Sequence, residues 1–87
     1  MHVEFTIIVR EMIDYAVVLL VEGCHNMETV RVYDGAHGIN DLHRYTHEGE
    51  KQAAELFHSG TLGAGMRTAI EEIKRNHRTI IEGWRQQ

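Results

Sequence analysis

Residues 3 to 9, VEFTIIV, alternate with a period of two, placing Val3, Phe5, Ile7 and Val9 on one face and Glu4, Thr6 and Ile8 on the other. That period predicts a strand. Residues 13 to 22, IDYAVVLLVE, are apolar on both parities and rich in β-branched side chains, which predicts a strand covered on both faces in the middle of a sheet. Phe5, Ile8, Val9, Met12, Ala16, Leu19 and Leu20 also keep helical spacing. One long helix over residues 3 to 22 is therefore the competing reading, and periodicity alone does not decide between them.

Gly-bearing turns divide the rest. GCHN leads into METVRVYD, where Val30 and Val32 alternate with Arg31 and Tyr33 in a third strand joined by a hairpin to the second. GAHGIN turns into a fourth strand, DLHRYTH; EGEK turns again, and QAAELFH reads as a short fifth strand or a helical turn. Beyond it Met66, Ile70, Ile73, His77, Ile80 and Trp84 form one stripe along a helix, with Ser59 or Thr61 supplying the N-cap oxygen. The expected fold is a single α+β domain over residues 1–87: an antiparallel meander of four or five strands with one long C-terminal helix packed on one face. The stripe also has heptad character, which fits pairing with a second copy.

Composition narrows the setting. One cysteine, Cys24, excludes an intramolecular disulfide framework and fits a reducing, cytoplasmic environment. No signal-peptide pattern opens the chain, and the longest apolar run, residues 15 to 21, is too short to span a membrane. The net charge of −4 argues against a broad basic surface for nucleic acid. The charge is uneven: four Lys/Arg stand against ten Asp/Glu up to Met66, and five against three from Arg67 onward. A basic helix on an acidic sheet can still face RNA or an acidic partner, although a solvated helix face explains the same charges.

The chemistry-bearing residues concentrate in YDGAHGINDLHRYTH, residues 33 to 47. Their faces depend on hairpin register. Pairing Tyr33 with Asp41 turns Val30, Val32 and Leu42 toward the core, and Arg31, Tyr33, Asp41, His43 and Tyr45 toward the open face. Moving the register by one residue reverses the fourth strand. The first pairing groups like with like and is the one expected. On such a face His43, with His37 or His47, can act as acid and base on a phosphodiester while Arg31 or Arg44 meets the phosphate. Asp34, His37, Asp41, His43 and His47 are also metal-ligand types, but no metal motif joins them, and His43 and His47 lie about 13 Å apart along a regular strand. GTLGAG, residues 60 to 65, lacks the Gly-Lys-Ser/Thr ending of a phosphate loop, and no cofactor is implied. Cys24 beside His25 in a turn is an ordinary free thiol.

The run VRVYDGAHGINDLHRY, a strand ending in Tyr-Asp, a His/Gly loop and an Asp-x-His-Arg strand ahead of a C-terminal helix, resembles the small TumE-type toxins of bacterial toxin–antitoxin pairs. The resemblance covers about a fifth of the chain, rests on Tyr33, Asp34, His43 and Arg44, and implies a growth-blocking protein that acts through RNA and is silenced by an antitoxin. The spacing in HRYTH departs from the shorter His-Arg-His of that family. The functional expectation is a toxin-like protein acting on RNA by histidine acid–base chemistry, with His43, Arg44, Tyr33 and Asp34 as its catalytic set. The alternative is a non-catalytic module that binds a protein partner or a second copy of itself.

Overall fold

The computed structural model describes residues 1–8 and 10–87. Strands β1 (His2–Ile8), β2 (Glu11–Glu22), β3 (Met27–Asp34), β4 (Asn40–Arg44) and β5 (Glu55–His58) pair antiparallel in chain order, and helix α1 (Leu62–Arg85) packs against the sheet. This is the expected α+β meander with all five strands. Residues on either side of Val9 form two strands, not one helix; the expected end of the first strand at Val9 itself lies outside the described residues. Dense β-branching here favours the extended chain.

Tyr15, Val17, Leu19 and Val21 alternate inward along β2 and form the centre of the core with Val30, Tyr33, Leu42, Ala69, Ile73 and Trp84. The other parity of β2, from Asp14 to Leu20, is only half-buried. The expectation of cover on both faces is thus corrected: α1 shields one face, and the opposite face carries no second layer of secondary structure among the described residues.

Thr61 caps α1, its Oγ1 accepting from the Ala64 N–H at 3.1 Å. The side facing the sheet is Gly65, Ala69, Ile73 and Trp84, with Met66, Ile70, Ile80 and Ile81 flanking. His77, placed on the expected stripe, is exposed, as is the whole segment from 74 to 79. Contact with the sheet resumes at Ile80, and Trp84 is buried with the His47 ring perpendicular to its own, centroids 4.5 Å apart.

Two close approaches lock the helix start to the sheet. Tyr15 lies across Gly35, where a Cβ would come within 2.8 Å of both the Tyr15 ring and Leu62. The Tyr15 hydroxyl donates to Asn40 Oδ1 at 2.8 Å, while Asn40 Nδ2 donates to the carbonyls of Gly60 and Thr61 at 3.0 and 3.3 Å. Asn40 is 2% exposed and sits flush against Gly65. One buried amide therefore ties β2, β4 and the α1 cap together, with its donor and acceptor sides both used.

Candidate functional site

The β3–β4 hairpin pairs Tyr33 with Leu42, Val32 with His43 and Asp34 with Asp41, one residue away from the expected Tyr33–Asp41 register. A bulge explains why the expected face does not form. β2 meets β3 with Leu19 opposite Arg31 but Leu20 opposite Thr29, leaving Val30 as the extra residue. The extra residue breaks the alternation of β3. Val30 is buried, Tyr33 becomes the fully buried core residue, and Val32 turns to the open side with His43. His43 still faces away from the helix, by a route different from the even pairing.

The anticipated catalytic set is accordingly divided. Asp34 and His43 share the open face, with His43 Nε2 3.7 Å from Asp34 Oδ2. Tyr33 lies under the helix, its hydroxyl accepting from Arg31 Nη1 at 3.1 Å and its ring edge-on to Phe57, centroids 5.0 Å apart. Burial pushes the Tyr33 phenol above its ordinary pKa, partly offset by the Arg31 hydrogen bond and charge. Arg31 also reaches Glu72 on α1 at 3.5 Å, so this guanidinium is part of the helix–sheet contact. Arg44, opposite Arg31, lies on the helix side as well and pairs with Glu55 at 3.4 Å.

The remaining histidines disperse. β4 ends at Arg44, and Tyr45 and His47 enter the loop toward β5; His47 packs on Trp84, and its backbone N–H donates to Gln87 Oε1 at 3.1 Å. His37 is exposed in the β3–β4 turn.

What the open face does assemble is Asp34, Asp41 and His43, whose ligating atoms lie within 4.8 Å of one another. Asp34 Oδ1 accepts from the Ala36 N–H at 3.4 Å, leaving Oδ2 turned toward the imidazole. The chain after the 46–49 turn runs back beside β4: the Gln52 N–H donates to the Arg44 carbonyl at 2.8 Å, and His43 Nδ1 lies 3.2 Å from the Gln52 carbonyl oxygen. The adjacent groove is lined by Glu4, Asp14 and Asp34 together with Ala16 and Val32, so its charged members are acidic. The charges of Asp34 and Asp41 act through the sheet on Tyr15, whose pKa is raised first by burial and then by these two carboxylates.

A second surface has a different character. Helix α1 covers β2 to β5 and does not reach β1. Phe5 and Ile7 lie on the helix side of the sheet, opposite Tyr15 and Met12, yet are 54% and 55% exposed. Ile8 and Ile13 are exposed nearby, and the outer edge of β1 has no partner strand among the described residues. No described helix is long and apolar enough to cross a membrane. Comparison with known proteins finds no family model, no curated protein and no solved structure that matches this chain.

Proposed function

We propose that this protein is a self-associating binding module that works as a homodimer joined through β1, a reading carried by the bare apolar edge of that strand. The two edges of the sheet differ. β5 is four residues long and carries Glu55 and His58, features that discourage further pairing. β1 is seven residues long and exposes Phe5, Ile7 and Ile8, with no lysine or proline in it. Half-exposed side chains of this size leave on the order of 300 Å² of apolar surface per copy, in the range of a functional patch.

The strand is complementary to itself. Pairing two copies antiparallel about Phe5 sets Val3 against Ile7, and Glu4 against Thr6, so no like charges meet. The product is one continuous sheet with both helices on the same face, and the aromatic and aliphatic pairs of β1 lie in the floor between them. Sedimentation velocity tests this directly. A concentration-dependent dimer is expected, and Phe5→Lys with Ile7→Lys converts it to a monomer with unchanged circular dichroism. A monomer at every concentration, or a dimer indifferent to both lysines, overturns the proposal.

A second reading, action on RNA with His43 as acid or base, is supported by the closeness of His43 to Asp34. Incubating the protein and its His43→Ala variant with RNA tests it; cleavage lost in the variant supports it, and equal cleavage or none removes it.

A further inference from the structure

We infer that Asp34, Asp41 and His43 form a binding site for a divalent transition-metal cation of the zinc or manganese class. The inference concerns the open face of the hairpin and stands independently of dimerisation through β1.

Asp34 and Asp41 are directly opposed across β3 and β4, an arrangement of like charges that destabilises a ladder unless a cation sits between them. The Asp34 and His43 side chains are 19% and 16% exposed, and Asp41 beside them is half-buried. The imidazole is held from outside the cluster. His43 Nδ1 is placed to donate to the backbone carbonyl of Gln52, which selects the tautomer with its lone pair on Nε2. A backbone carbonyl on the far nitrogen is the usual outer contact of a metal-bound histidine, fixing its ring and raising its basicity.

Nε2 then stands beside Asp34 Oδ2, an acceptor next to an acceptor, and a metal cation between them relieves the conflict. The observed separation is 3.7 Å, beyond a hydrogen bond. Two ligands on one tetrahedral zinc, each about 2.0–2.2 Å from it, stand about 3.3–3.6 Å apart, close to this spacing. All three ligand atoms lie within 4.8 Å, so a small inward movement of the carboxylates closes the set. One nitrogen and two carboxylate oxygens suit zinc or manganese better than a soft-ligand metal, and three protein ligands leave a coordination position for water or a substrate oxygen.

The test is calorimetric titration of the full-length chain with zinc chloride and with manganese chloride, accompanied by nitrogen-15 spectra of the imidazoles. The expected result is one ion per chain, at least tenfold weaker binding in His43→Ala and in Asp41→Asn, and no change in His37→Ala. Zinc is also expected to displace the His43 Nε2 resonance while Nδ1 keeps its proton. Asp41→Asn retains the shape of the side chain, so the comparison does not depend on how the alanine variant folds. Binding of equal strength in all variants, no saturable binding, or a doubly protonated His43 that zinc leaves unchanged overturns the inference.

Discussion

Gly65 offers a prediction whose sign runs against the usual rule for helices. Replacing glycine by alanine inside a helix ordinarily stabilises by about 1 kcal/mol, because the free chain has less backbone freedom to lose. At Gly65 the new Cβ would overlap the carboxamide of Asn40. Asn40 has no easy retreat, since Tyr15 donates to its Oδ1 and its Nδ2 serves the Gly60 and Thr61 carbonyls. Forcing a methyl into a filled interior costs about 1–3 kcal/mol, and leaving the buried Tyr15 hydroxyl without its acceptor costs about 1–3 kcal/mol more. After subtracting the helix gain, Gly65→Ala is expected to destabilise by about 3 kcal/mol, on the order of a third of the stability of a domain this size. Gly83, on the same helix with open space around it, is the control, and Gly83→Ala is expected to gain up to about 1 kcal/mol. Urea unfolding of both variants measures the difference. A double-mutant cycle with Asn40→Ala locates its origin, because once the carboxamide is gone the Gly65 substitution becomes neutral or favourable. Equal effects at Gly65 and Gly83, or additive energies in the cycle, would refute the packing proposed for Asn40.

Two further outcomes follow from the tyrosines. Tyr33→Phe keeps the packing against Phe57 and loses the hydroxyl's hydrogen bond from Arg31 and its interaction with Glu72, while Arg31 retains Glu72, so chemical denaturation should show a cost of about 1 kcal/mol. At alkaline pH, folded Tyr15 and Tyr33 hold their protons above the ordinary value of 10.0, while the unfolded chain releases them there. Stability is therefore unaffected by these groups below pH 10.0 and falls as pH rises past it. Phenolate absorbance should lag for these two side chains until the protein unfolds; early, complete titration of all tyrosines would contradict their burial.

The architecture was legible because alternation and helical stripes are properties of short windows. β2 announced itself through Val17, Val18, Leu19 and Val21, and α1 through the recurrence from Met66 to Trp84. The hairpin face was harder to read, since parity counting assumes that every residue in a strand is paired. The bulge at Val30 breaks that assumption, and it depends on how β3 meets β2, which no window around β3 contains. Arg31 and Tyr33 consequently belong to the helix contact, while Asp34, Asp41 and His43 remain together. His47 left the set for a similar reason: β4 stops at Arg44, and the ring finds Trp84, distant in the chain. Asn40 reads as a turn residue, and the local sign of its role is its place two positions before the apolar Leu42, on the same parity of β4. The exposure of Phe5 and Ile7 was equally hidden, because it depends on how far across the sheet α1 reaches.

The unpaired residue at Val30 works as a phase shifter in β3. Side chains before it and side chains after it follow separate in-and-out rhythms, so the two ends of one strand answer to different constraints. Removing that single residue would set Thr29 next to Arg31 with Leu20 and Leu19 still opposite them, a regular ladder in which every later position up to the turn keeps its side. A one-residue deletion there should consequently leave Tyr33 beneath the helix and Asp34 on the open face, and forfeit only the buried contacts of the Val30 side chain.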